Sequence, residues 1–138
     1  MQITLNPYLN FNGNTREAME FYKSILGGEL DMQTFGESDM PIDDQYKDQV
    51  IHAQLIGDMV TIMASDTGQM GDVTFGNNVH LSLNGSDDGQ LRSWFEKLSE
   101  GGNIDMPLEK QFWGDTFGML TDKFGIHWMV NISTEKSE

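Results

Sequence analysis

Tyr8-Leu9-Asn10-Phe11-Asn12-Gly13 is answered later in the chain by His80-Leu81-Ser82-Leu83-Asn84-Gly85. Apolar residues match at Leu9/Leu81 and Phe11/Leu83, and Asn-Gly closes both stretches. A second pair follows in the same order and at almost the same spacing. It consists of Gly27-Gly28-Glu29-Leu30-Asp31-Met32 and Gly101-Gly102-Asn103-Ile104-Asp105-Met106. Ordered matches at a steady offset mark a duplicated module.

Each copy predicts a helix between its two matched segments. Ala18, Phe21, Tyr22 and Ile25 recur at helical spacing, as do Leu91, Trp94, Phe95 and Leu98. That pattern puts one apolar stripe on each helix. Asn14 with Glu17, and Asp87 with Gln90, place a side-chain acceptor before the first turn and a return partner inside it. The glycine pairs then offer the left-handed residue that ends a helix at little cost.

Strands follow each helix. In the first half we expect a strand over 29–36, an acidic loop over 37–48, and strands over 50–56 and 59–64 joined at Gly57-Asp58. In the second half 103–108 leads to 113–121, then a turn over 122–125 and a strand over 126–132. The plan is an α+β fold of two tandem βαβββ modules within one domain. Module one spans 1–65, a glycine-rich linker 66–77, module two 78–132, and a frayed polar tail 133–138.

Composition bounds the function. The 138 residues carry 8 Lys+Arg against 22 Asp+Glu, a net charge of −14, which argues against nucleic acid and anionic membrane as partners. With 38% hydrophobic residues the chain is too apolar for a disordered acidic tail. No apolar run approaches the ~20 residues needed to span a bilayer, and no signal-peptide pattern opens the chain. The absence of cysteine excludes disulfides, thiolate ligands and cysteine nucleophiles, and fits a cytoplasmic protein.

The duplicated module resembles the vicinal oxygen chelate superfamily of glyoxalase I, bleomycin-resistance proteins and dihydroxybiphenyl dioxygenases. More narrowly it is similar to the PhnB-like branch. The residues carrying the resemblance are the 7–13 stretch from Pro7 to Gly13, Glu17-Ala18-Met19-Glu20-Phe21-Tyr22, Phe112-Trp113-Gly114-Asp115 and Asp122-Lys123-Phe124-Gly125-Ile126-His127-Trp128. The resemblance implies that the modules form a curled mixed sheet around a central cleft and that the protein is a homodimer.

Metal-dependent relatives take one His, Gln or Glu from the first and last strands of each module. Strand alternation puts Asn6, Tyr8 and Asn10, then Asn78, His80 and Ser82, on the cleft side. In the closing strand His127, Met129 and Asn131 alternate with core residues, and the repeat pairs Met129 with Thr61. The expected quartet is therefore Asn6, Thr61, Asn78 and Met129, with a one-residue register uncertainty. Neutral amide and hydroxyl oxygens and a thioether suit a divalent ion poorly. We expect no family-type metal centre and no other cofactor. The rival is a lyase, isomerase or dioxygenase-like enzyme with its divalent metal shifted toward His80.

The ligand pocket we expect consists of Tyr8, Asn10, His80, Ser82, Trp113, Asp115, Phe117 and Met129. His80 reads equally as a pocket residue or as a hydrogen-bonded histidine beside the pseudo-twofold seam. Trp113, Asp115 and Phe117 would share one strand face, stacking a ring and orienting a polar group. His52 reads as a solvent or interface histidine, and His127 as cleft-facing. Most of the ten methionines read as core filler, though Met63, Met119 and Met129 suit an adaptable apolar cavity. Asp39, Asp43, Asp44 and Asp48 read as a solvated loop without the spacing of a calcium site.

Proteins of this kind have been described as ubiquinone methyltransferases. No glycine-rich turn opens a helix after a first strand here, and the duplicated modules leave no room for a nucleotide-binding α/β sheet. No nucleophile elbow or phosphate-binding loop is present either. A small-molecule ligand is the partner that these residues favour. A structural dimer with a vestigial cleft is the third possibility.

Overall fold

A computed structural model describes residues 3–134. The chain divides into two compact units, 1–74 and 75–138, and the ladders define two four-stranded mixed sheets rather than one. The first unit holds β1 (Tyr8–Phe11), α1 (Thr15–Leu26), β2 (Glu29–Thr34), β3 (Val50–Ile56) and β4 (Thr61–Asp66). Its strand order is β1-β4-β3-β2, with β1 parallel to β4 and the other pairs antiparallel. The second unit repeats this with β5 (Leu81–Gly85), α2 (Asp88–Ser99), β6 (Asn103–Lys110), β7 (Thr116–Thr121) and β8 (His127–Ile132), in the order β5-β8-β7-β6. The βαβββ plan read from the repeat is thus the observed one.

Each helix covers one face of its own sheet. Ala18, Met19 and Tyr22 of α1 are buried with Phe11, Leu55 and Ile62. On α2 it is Leu91, Phe95 and Leu98, with Leu120, Trp128 and Val130 beneath them. The expected stripe on α1 is rotated slightly, since Met19 is buried while Phe21 and Ile25 are only half-buried.

The two helices are capped differently. Asp87 caps α2 as expected, accepting from Gln90 N at 3.1 Å. Asn14 makes no side-chain cap. Asp66 at the end of β4 takes that place, because the parallel β1–β4 register sets it opposite Phe11 and beside the start of α1. Its carboxylate accepts from Gly13 N, Thr15 N and Thr15 Oγ1, and its other oxygen accepts from Val50 N. The orphan N–H groups of α1 thus meet a buried anion from a distant strand.

Several boundaries also move. β2 stops at Thr34, where the Thr34 hydroxyl and the Glu37 carboxylate form a capping box around a single 3₁₀ turn at Phe35–Glu37. The acidic loop contains another such turn, Asp44–Tyr46, with an exposed Lys47–Asp44 ion pair of the kind that adds little stability. The 66–77 stretch begins inside β4 and carries a third turn, Gly68–Met70. Ser133 is bonded to Gly85 O by its N–H at 2.7 Å, so the chain is still tied there; 135–138 lie outside the described residues.

The largest correction concerns 111–115. Trp113 and Asp115 are not in a strand: Gln111 N donates to Asp115 O at 2.7 Å and Gly114 N to Gln111 O at 3.0 Å, closing a tight hairpin. Gly114 has φ +106°, which a strand does not allow and which glycine adopts without a Cβ clash.

β6 is an edge strand with two irregularities and Pro107 inside it, which suits an edge that offers little to a pairing strand. Ile104 lies opposite Leu120 and Met106 opposite Met119, so Asp105 is the extra residue of a bulge.

Candidate functional site

The face of the second sheet away from α2 carries three cross-strand rows. Directly opposite residues share a face, about 4.8 Å apart. The middle row is Ser82–Met129–Met119–Met106. On one side of it runs Asn84–Asn131–Phe117–Glu109, and on the other His127–Thr121–Asn103. The result is a thioether strip with an aromatic and amide end and a histidine end.

At the aromatic end Trp113 reaches back from its hairpin, with its ring 6.1 Å from Phe117 at an interplanar angle of 61°. Phe112 stands edge-on to Trp113 at 5.1 Å, and these two are 96% and 51% exposed. Asp115 accepts from Asn131 Nδ2 at 3.0 Å, which ties it to a side chain of β8.

At the histidine end, Thr121 Oγ1 lies 2.7 Å from Asp105 Oδ2 and 2.8 Å from His127 Nδ1. The other ring nitrogen of His127 meets Gly76 O at 2.9 Å. The His80 ring lies 5.3 Å from that of His127. The hydrogen bond from Thr121 holds the Asp105 carboxyl below the usual carboxylate range. Desolvation opposes that bond; one from Asn103 and the positive character of His127 and His80 reinforce it.

Six of the eight expected pocket residues therefore gather in one unit. His80, Ser82, Phe117 and Met129 stand on or beside the rows, and Trp113 and Asp115 are joined to them by a ring contact and a hydrogen bond. Tyr8 and Asn10 lie in the first unit, on the equivalent face of its own sheet. There Tyr8 Oη is 3.1 Å from His52 Nδ1, and Ser65 Oγ donates to Asn10 Oδ1 at 3.4 Å. His52 is thus paired with Tyr8 rather than simply facing solvent.

Residues absent from the expected set are Met119, Thr121, Asn131 and Asp105. Alternation from Phe117 and Met129 finds the first three. Asp105 carries no such signal, because its bulge breaks the period.

The expected metal quartet does not hold together. Leu9 lies opposite Ala64 and Leu81 opposite Trp128. With Leu9 matching Leu81, the counterpart of Met129 is Ser65, not Thr61. Asn6, Thr61, Asn78 and Met129 offer no carboxylate and no imidazole, and both ring nitrogens of His127 are engaged. These donors do not fit the divalent ion of metal-dependent vicinal oxygen chelate proteins. Among the described residues no group of three or more His, Cys, Asp or Glu side chains is arranged to hold a metal ion. Nor, among them, is any helix long and apolar enough to cross a membrane.

Comparison with known proteins agrees with this architecture. Residues 4–130 match the family model described as Glyoxalase/Bleomycin resistance protein/Dioxygenase superfamily. Protein YjdN of Escherichia coli K12 is 34% identical over 93% of this chain and 94% of its own. The crystal structure of PA1353 from Pseudomonas aeruginosa is 40% identical, with a TM-score of 0.88 over 97% of this chain and all of that one (100%). A Bacillus cereus structure described as a putative 3-demethylubiquinone-9 3-methyltransferase, PhnB protein, is 25% identical with a TM-score of 0.77, over 95% of this chain and 100% of its own. The tandem modules, the family match and these relatives place the chain in the glyoxalase/bleomycin resistance protein/dioxygenase superfamily, in its PhnB-like branch.

Proposed function

We propose that the protein binds a small, elongated organic molecule on the open face of the second sheet, without a family-type metal centre. The observation that carries this reading is the order of the three rows. From His127 to Asn131 along β8 is four residues, or about 13 Å. A molecule of that length would rest on Met119 and Met129. Its ring would lie at Phe117 and Trp113 and its polar group at His80, with Asp115 and Asn131 as further polar partners. Methionine side chains adapt to varied shapes, and aromatic rings add stacking.

The methyltransferase description of the Bacillus cereus relative is not carried over. No glycine-rich turn follows β1 or β5 to receive a nucleotide cofactor. We propose a homodimer in the cytoplasm as its working form, and sedimentation of the purified protein checks the assembly.

Thermal-shift measurements with a panel of one- and two-ring aromatic alcohols, amides and carboxylates test the binding. At least one compound should raise the wild-type melting temperature, and the rise should vanish in both His80→Ala and Trp113→Ala. A panel that leaves the wild type unmoved defeats the reading.

A further inference from the structure

The hydrogen atoms available at the histidine end do not suffice for a neutral His127. Gly76 O can only accept, so the 2.9 Å contact needs hydrogen on His127 Nε2. The Asp105 carboxylate, held ionised by its neighbours, also only accepts. The single Thr121 hydroxyl hydrogen therefore goes to Asp105. Thr121 Oγ1 then faces His127 Nδ1 as an acceptor, and the 2.8 Å contact needs a second ring hydrogen. All three bonds exist together only when both nitrogens of His127 carry hydrogen.

We propose that His127 is a proton-operated latch on the segment that delivers His80 to the sheet face. The latch deepens the ligand-face reading and rests on it for its functional consequence alone. Gly76 sits four residues before His80, and the neighbouring Phe75 ring lies over Gly125. With two ring hydrogens, His127 ties Gly76 to Asp105 through Thr121. With one, a bond must be given up. Keeping hydrogen on Nε2 leaves the Nδ1 lone pair facing Thr121 Oγ1, so either the Thr121 hydroxyl turns away from Asp105 or the Nδ1 contact is lost, and each breaks a chain of bonds strengthened by the carboxylate charge at its end. Keeping it on Nδ1 loses only the neutral bond to Gly76. The second choice costs less, so loss of the proton releases the 75–80 segment.

The titratable groups facing His127 are Asp105 from β6 and His80 from the segment entering β5. Asp122, on the turn between β7 and β8, is turned to the other side of the sheet. There it accepts from Phe124 N, Ile126 N and Trp128 Nε1. From α2 the residues buried against that opposite side are Leu91, Phe95 and Leu98.

Imidazole nitrogen NMR and heteronuclear NOEs on the ligand-free full chain test this at about pH 5.5 and about pH 8.5, either side of the ordinary imidazole range. At the lower pH both His127 nitrogens should show the protonated pattern, and residues 75–80 should be as rigid as β8. At the higher pH Nε2 should lose its hydrogen and the NOEs of 75–80 should fall. Thr121→Val removes the competing acceptor, so His127 keeps hydrogen on Nε2 and the segment stays rigid at both pH values. A singly hydrogenated ring at the lower pH, a hydrogen retained on Nε2 at the higher pH, or release persisting in Thr121→Val overturns the latch. Each of these can occur whether or not the face binds a ligand, so the two readings fail separately.

Discussion

Asp66 and Thr15 meet at the start of α1, where one carboxylate oxygen accepts from both Thr15 N at 3.0 Å and Thr15 Oγ1 at 2.7 Å. Both residues are buried, and the same carboxylate also holds Gly13 N and Val50 N. It therefore joins the turn after β1, the start of α1, β3 and β4 at one point.

Asp66→Ala leaves those four donors without their acceptor, three of them (Thr15 N, Thr15 Oγ1 and Val50 N) in buried bonds. Its expected cost is roughly 2–3 kcal/mol, as for loss of a helix cap and of charge-assisted hydrogen bonds. Asn14→Ala, at the position that the local pattern nominates as the cap, should change stability by less than about 0.5 kcal/mol. Urea unfolding of both variants decides the assignment; a larger loss in Asn14→Ala would reverse it.

Thr121→Val should raise the Asp105 carboxyl back toward the ordinary carboxylate range, because the hydrogen bond from Thr121 is the first cause of its depression. The sign follows from linkage. A carboxyl whose folded value lies below its unfolded value adds stability at neutral pH, and that increment is lost as pH falls through the acid range. Thr121→Val should therefore flatten the acid limb of the stability profile. Carboxyl carbon NMR titration of Asp105 reads the same effect at the residue itself, and an unchanged midpoint would contradict the assignment.

Gly118 is a point of close approach between β7 and its neighbours. A Cβ there would stand 2.9 Å from Phe95 Cε2 and 3.0 Å from Leu108 Cα. Phe95 is a buried residue of α2 and Leu108 belongs to the adjoining strand, so there is little room to yield. Gly118→Ala should destabilise the protein by about 1–3 kcal/mol, the usual cost of overpacking a filled site. Gly89→Ala, in α2 with open space around it, should raise stability by about 0.5–1 kcal/mol through helix propensity. Paired denaturation curves check both signs.

The fold could be read from the chain because its evidence is local and said twice. Leu81 and Leu83 restate Leu9 and Phe11, and the stripe on α2 restates the one on α1. What escaped depends on partners far apart in sequence. Asp66 caps a helix that begins 51 residues earlier, and nothing in the local pattern around Asn14 shows that it is displaced. Asp105 meets Thr121 at a bulge in β6, and bulges leave no mark on alternation. Phe117 and Met129 were legible as a shared face since period-2 alternation is rigid over short strands. Trp113 lost its place in that strand to the positive φ of Gly114, which a β-rich run of side chains masks.

Trp113 separates stability from binding. Its side chain is 51% exposed at a hairpin tip and touches the rings of Phe112 and Phe117. Only about half of its surface is covered, so Trp113→Ala should cost about 1–2 kcal/mol, well short of the loss of a core tryptophan. Trp128 is buried and donates through Nε1 to Asp122, so Trp128→Ala should cost about 3–5 kcal/mol. The two substitutions remove the same side chain from opposite sides of one sheet. If the open face binds a planar molecule, Trp113→Ala should abolish ligand-induced stabilisation while the ligand-free protein remains well folded. Retained ligand stabilisation in a well-folded Trp113→Ala would remove the aromatic end from the site and leave His80 as its polar anchor without a stacking partner.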